Sequence, residues 1–312
     1  MRILFATDGS ASAETALDML LALPLRETDH VTVLAVPIHS YAGVGFDGTG
    51  QLIAEVALQE TAAAQRIATD ARERITAKGA SASTRIEEGL AATTIVEAAR
   101  SDDAGLIVMG SRGLGHVAGM LLGSTARAVA ATSPVPVFVV RDRRTAPRRI
   151  LIAVDGSDDA NAAMRTLAAM PLPRSVEIML LHVQAERERP DLASGTPGDE
   201  LRPTIEAVER HAAVDVFSAA RQLLPPTAGA RIKLERGPVA ERIIATASGQ
   251  GSDLIVLGAR GRTVHRVGFL QGSTADRVLE NAHCAVLVAR AHEQAKPSHP
   301  REEKVAPMEV IT

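Results

Sequence analysis

The chain matches itself, and that constrains its fold more than any other feature of the sequence. RILFATDGSASAETAL from Arg2 aligns with RILIAVDGSDDANAAM from Arg149. LIVMGSRG ending at Gly113 aligns with LIVLGARG ending at Gly261, and LLGSTARAVAATSPVPVFVVR ending at Arg141 with FLQGSTADRVLENAHCAVLVAR ending at Arg290. The offset grows only from 147 to 149 residues across these segments, so few insertions separate the halves. A repeat this long is a duplicated domain, and 312 residues is enough for two cores. The polar, proline-broken stretch from Arg143 to Arg148 is the natural join, with domains expected over 1–142 and 148–291.

Within each half, short apolar runs alternate with helical patterns. Strands are expected at Arg2–Ala6, Val31–Val36, Ser83–Glu87, Leu106–Met109 and Val137–Val140. Helices fall between them near Ala13–Leu23, Glu55–Lys78, Thr93–Arg100 and Ser124–Thr132. Ile67, Ala71 and Ile75 mark one buried helix face, and Gly79 stands where a C-cap belongs. The second half repeats the order, with strands at Arg149–Val154, Val176–Val183, Arg231–Leu234, Leu254–Leu257 and Ala285–Val288. Strands rich in Val, Ile and Leu without strict alternation suit a parallel sheet covered on both faces. The fold class is therefore α/β: two repeated Rossmann-like domains, each an open five-stranded parallel sheet with helices on both faces. Apolar last strands need cover, so the two domains are expected to pair edge to edge through them. The tail 293–312 mixes Pro, Lys and Glu without periodicity and reads as disordered.

Composition removes several functions. The net charge of −3 gives no support for a nucleic-acid wrapper. No Trp, one Tyr and five Phe leave little for base-stacking platforms or membrane aromatic belts. The lone Cys284 excludes an intrachain disulfide, and the nine histidines show no metal-ligand spacing. Neither a signal peptide nor a run of about 18 apolar residues is present, so a cytoplasmic location is the default expectation.

Ligands of parallel sheets bind beyond the carboxyl ends of the strands, where strand order reverses. After the fourth strand come Gly110-Ser-Arg-Gly113, nine residues, and Gly123-Ser124-Thr125 opening a helix. Glycines let backbone approach a ligand, and a helix N-terminus offers free amides and positive potential. A Gly-Ser pair before a helix is often only a cap. Here the spaced set recurs at Gly258, Gly261 and Gly272-Ser273-Thr274, which favours a phosphate cradle. No Walker lysine is present, and the first strand does not end in a dinucleotide glycine turn. It ends in Thr7-Asp8-Gly9-Ser10, repeated as Val154-Asp155-Gly156-Ser157. Asp8 could hold a ribose or a hydrated magnesium ion, or simply turn the chain into the helix.

The spacing G-x2-G-x9-G-[ST], the strand-one Asp and a closing Pro-Val-x-Val-Val strand resemble the universal stress protein family, in tandem form and in its ATP-binding branch. The resemblance implies ATP, with or without magnesium. It places Ala6, Thr7 and Asp8 beside adenine and ribose, Val36 against adenine, Met109 and Gly110 along the ribose and phosphates, and Gly113, Gly123, Ser124 and Thr125 on the phosphates. The second-half counterparts are Ala153, Val154, Asp155, Val183, Leu257, Gly258, Gly261, Gly272, Ser273 and Thr274. That half departs from the pattern, with ten residues rather than nine between Gly261 and Gly272. Its loop carries Arg260, Arg262, His265 and Arg266, which either attract phosphate or form a solvated face. The first site is therefore the better candidate. A glycine-rich stretch after Val36, with Gly43, Gly45, Gly48 and Gly50, is either a lid or a plain surface loop.

Three functions follow: a nucleotide-dependent regulator of the stress response, a slow ATP hydrolase or phosphoryl-transfer enzyme, and an interaction scaffold whose loops only cap helices. The glycine set argues against the scaffold, and the missing lysine and base argue against efficient catalysis. The regulator leads, with an adenine nucleotide as partner and with neither nucleic acid nor membrane. Homodimer formation is left open.

Overall fold

A computed structural model describes residues 1–37, 50–114, 122–141, 145–173, 175–185, 197–225, 229–261 and 273–291. In the first half, strands β1 (Arg2–Thr7), β2 (His30–Ala35), β3 (Ser81–Ile86), β4 (Leu106–Gly110) and β5 (Val137–Val140) alternate with α1 (Ala11–Ala22), α2 (Gly50–Ala77), α3 (Ala91–Ser101) and α4 (Ser124–Thr132). The second half repeats this as β6 (Arg149–Ala153), α5 (Asp158–Ala169), β7 (Glu177–Gln184), α6 (Pro197–Gln222), β8 (Ala230–Arg236), α7 (Val239–Gln250), β9 (Leu254–Gly258), α8 (Ser273–Asn281) and β10 (Ala285–Ala289).

Each half forms a parallel sheet, and the two sheets become one. The strand order is β3-β2-β1-β4-β5-β10-β9-β6-β7-β8, with β5 and β10 antiparallel at the centre through Val139–Val286, Phe138–Leu287 and Val137–Val288. Joining the last strands hides two apolar edges that would otherwise template aggregation. Phe138, Val139, Val286 and Leu287 are fully buried. The chain leaves β1 for β2 and β3 and returns on the other side at β4, so the order reverses between β1 and β4. β6 and β9 form the matching reversal in the second half.

Two apolar layers sandwich the sheet. One includes Phe5, Leu17, Leu20, Ala68 and Ile75 beneath α1 and α2, continuing to Met164 and Phe217 beneath α5 and α6. The other includes Leu4, Ile95, Ile107 and Val129 beneath α3 and α4, continuing to Ile243, Ile255 and Val278 beneath α7 and α8. On α2, Ala71 and Ile75 are buried while Ile67, the third residue of the expected face, is half-buried, and Gly79 follows with φ +91°. The outer strands differ from the inner ones. β3 (SASTRI) is only partly covered and β8 is largely exposed, since each has a neighbour on one side only. Their polar sequences explain why an apolar-run reading starts β3 two residues late. Pairing of His30 with Ser81 fixes its true start.

Candidate functional site

The turn after β1 is built by side chains acting on backbone. Gly9 takes φ +73°, which glycine adopts without strain, and lets Asp8 Oδ1 accept from the Ser10 amide at 3.0 Å. Ser10 then caps α1, its Oγ accepting from Ala13 N at 3.2 Å while donating to the carbonyl of Arg112 at 3.2 Å. Asp8 Oδ2 accepts from Leu114 N at 2.9 Å. One aspartate and one serine thus tie the first strand's turn to the glycine loop after β4. Asp8 does turn the chain, as the simpler reading has it, and it also fixes that loop.

The glycines have separate reasons to be there. A Cβ on Gly110 would lie 2.6 Å from the Ser12 backbone, and one on Gly113 would lie 2.6 Å from Asp8 Oδ2. Gly123 is different: a Cβ there would meet Arg112 Cα and Ser111 O at 3.4 Å, a contact with little slack. Its amide donates to Ser111 O at 2.7 Å. That bond closes the loop onto the helix. The amides left at the start of α4 belong to Ser124, Thr125 and Ala126. The N-cap residue of this helix, Gly123, has no side chain to cap it, whereas Ser10 and Ser157 cap α1 and α5.

These pieces enclose a cleft of about 210 Å³ at the switch between β1 and β4. All ten residues singled out in the first half line it: Ala6, Thr7, Asp8, Val36, Met109, Gly110, Gly113, Gly123, Ser124 and Thr125. Leu34, Ile95 and Ala91 complete its apolar side, and Ser111 and Arg112 its polar side. Helical spacing alone marks Ile95 as core; that it borders a cleft depends on how α3 lies across the sheet. Among the described residues, the ionisable side chains in the lining are Asp8 and Arg112. Of the glycine-rich stretch after Val36, Gly50 opens α2, while Gly43, Gly45 and Gly48 lie outside the described residues.

The second half reproduces the scaffold with different polar contents. Ala153 ends β6, followed by Val154 and Asp155. Val183 lies one residue before the end of β7, and Leu257 and Gly258 end β9. Asp155 Oδ1 accepts from Ser157 N at 2.9 Å, and a Cβ on Gly261 would lie 2.9 Å from Asp155 Oδ2. Ser157 caps Ala160 and donates to Arg260 O at 3.3 Å, as Ser10 does to Arg112. Ser273 and Thr274 open α8; Gly272, Arg262, His265 and Arg266 lie outside the described residues. The change is at Ser12, whose counterpart is Asp159. That carboxylate is buried and accepts from Arg260 N at 3.0 Å, from Arg260 Nε at 3.1 Å and from Ala291 N at 2.9 Å. The fourth residue of the helix changes sign as well, from Arg127 in α4 to Asp276 in α8. Burial raises the Asp276 carboxyl above the usual range. Arg127 opposes that shift and Glu280 adds to it.

Two arginines escape a motif reading. Arg141 follows β5 and donates to the carbonyl of Leu279 on α8, while Arg290 follows β10 and donates to Ala130 O at 3.3 Å and Ala131 O at 2.5 Å on α4. Their signal in the sequence is their place: each closes its repeat directly after the last strand.

Comparison with known proteins gives a consistent result. The model of the universal stress protein family matches residues 1–141 and 147–290. A universal stress protein of Mycobacterium tuberculosis is 27% identical over 195 residues, covering 61% of this chain and 63% of its own length. One from Mycolicibacterium smegmatis is 29% identical over 218 residues, covering 68% and 70%. The crystal structure of a universal stress protein from Archaeoglobus fulgidus superposes with a TM-score of 0.60 at 21% identity, covering 93% of this chain and 96% of that one, a likeness of fold. Among the described residues no helix is long and apolar enough to cross a membrane, and no group of His, Cys, Asp or Glu could hold a metal ion.

Proposed function

The chain belongs to the universal stress protein family, and from that premise we propose that its first-domain cleft holds ATP and that the protein acts as a nucleotide-dependent regulator in the stress response. The carrying observation is the convergence of ten residues, from the ends of β1, β2 and β4, the glycine loop and the start of α4, on one cleft. Its apolar side, with Leu34, Val36 and Ile95, suits a purine ring. The opposite end offers the uncapped start of α4, where amides and hydroxyls of Ser124 and Thr125 meet the positive end of the helix dipole. Among the described residues no side chain caps that helix start, which suits an external anion.

Asp8 is the one carboxylate among the described residues of the lining, and its oxygens already serve Ser10 N and Leu114 N. A magnesium ion accompanying the nucleotide would reach Asp8 through water and take its direct ligands from the phosphates. Among the described residues of the lining there is no lysine and Asp8 is committed to backbone, so these residues hold phosphates without supplying a base to activate water. We therefore read the protein as a holder of ATP rather than a consumer of it, acting in the cytoplasm.

Native mass spectrometry of the protein as purified tests this reading. The expected spectrum shows an adenine-nucleotide adduct on the chain, or one formed on adding ATP. A chain that stays free of nucleotide in millimolar ATP would contradict it, and steady turnover of ATP at many cycles per minute would favour the enzymatic alternative.

A further inference from the structure

α4 is nine residues long, about 13 Å, so only about half a turn separates its first turn from its last. The last carbonyls of any helix lack partners within it. Here Val129 O is satisfied by Ser133 N, and the next two, Ala130 O and Ala131 O, accept from Arg290 of the other domain. The second half mirrors this: Val278 O accepts from Ala282 N, and Leu279 O from Arg141. Arg141 and Arg290 are equivalent under the repeat, and so are Ala130 and Leu279, each pair lying 149 residues apart. The helices held this way are the two that open with Gly-Ser-Thr.

We propose that Arg290 is a positioning residue acting across the domain boundary: by holding the carbonyl end of α4, it sets the amide end that receives phosphate in the first cleft. Arg141 does the same for α8. The inference rests on the nucleotide reading of the first cleft. The physical reason is twofold. A cation at the carbonyl end stabilises the aligned dipoles whose positive end meets the anion. In so short a helix, loosening the last turn also disorders the first. The guanidinium itself is desolvated, and its Nε is buried without a hydrogen-bond partner among the described residues. Asp159 and Asp276 attract it and Arg260 repels it, which brings the second domain's glycine loop into the same network.

The test separates positioning from mere structural support by comparing ATP with adenosine, which lacks phosphates. Arg290→Met in the full chain is expected to weaken first-site ATP binding roughly two- to five-fold and leave adenosine affinity unchanged, with Arg290→Lys recovering most of the loss. Parallel titration of Gly123→Val identifies the first-site component. Glu280→Gln removes the α4–α8 ion pair with Arg127 but keeps the carbonyl contacts, and is expected to leave the ratio of ATP to adenosine affinity alone. Where Arg290→Met fails to fold, Arg290→Gln, which keeps a donor and drops the charge, decides by the same ratio. Unchanged ATP affinity, or equal losses for ATP and adenosine, would overturn the proposal. A wild type that binds neither ligand overturns the nucleotide reading and this inference together, a result distinct from ATP binding indifferent to residue 290.

Discussion

The two halves share their scaffold and differ in charge. In both, an aspartate after the first strand accepts from the serine two residues on, and that serine caps the first helix while bonding back to the glycine loop. Beside this common frame the first half places Ser12 and Arg127, and the second places Asp159 and Asp276. In the first half Ser12 accepts from Arg112 N and Arg127 pairs with Glu280 of α8. In the second half Asp159 binds Arg260, and Asp276 lies partly buried near Arg127. Duplication preserved what folds the loop and changed the charged side chains around it.

The largest expected effect is on stability and falls on the second half. Asp159 is 5% exposed and accepts three backbone or side-chain donors at 3.1 Å or less, so Asp159→Ala should cost about 3 kcal/mol. Ser12→Ala, at the matching position, should cost under about 1 kcal/mol. Urea denaturation of both variants checks the contrast, and equal losses would erase it.

A second experiment carries the difference across. Ser12→Asp places the second half's acid beside the first cleft and should weaken ATP binding there about three- to ten-fold, with adenosine little affected. Calorimetric titration reads both ligands, and an unchanged ATP affinity would mean that the acid is silent in either half.

The shared frame predicts equality instead. Ser10→Ala and Ser157→Ala each remove an N-cap and should each cost about 1 kcal/mol. A cost at only one position would show that the scaffold has diverged too.

The smallest effect concerns pH. The Asp276 carboxyl titrates above its usual range because burial disfavours its charge, so its ionised form opposes folding. Asp276→Asn should therefore stabilise the protein slightly near neutral pH. That gain should shrink as the pH falls through the raised carboxyl range and vanish below the ordinary aspartate range, where the side chain is protonated folded and unfolded alike. Thermal melts of the two proteins across that range check the sign.

Much of this architecture is written locally in the chain. Apolar runs locate the inner strands because those strands are covered on both faces, and the repeat fixes the order of elements twice over. The glycine spacing names residues that end around one cleft, because strand ends and their following turns are contiguous in sequence. What escaped was tertiary. The edge strands β3 and β8 are too polar for apolar runs to mark their full bounds, which pairing with β2 and β7 sets. That the Gly123 amide is spent on Ser111 depends on how the loop folds back, and the exchange of Arg141 and Arg290 between domains depends on which strands meet. The pairing of Asp159 with Arg260 joins residues 101 apart, and nothing in their local sequence announces it.

ATP titration of wild type, Gly123→Ala and Gly123→Val addresses the central claim most directly. A methyl group at residue 123 reaches the 111–113 backbone only at 3.4 Å, whereas the branches of valine press into the loop or the phosphate position. The expected result is first-site binding in wild type, near-normal binding in the alanine variant and a loss of at least about 100-fold in the valine variant, roughly 3 kcal/mol, with its fold intact by circular dichroism. Undiminished ATP affinity in a folded Gly123→Val protein would contradict the assignment of the first cleft.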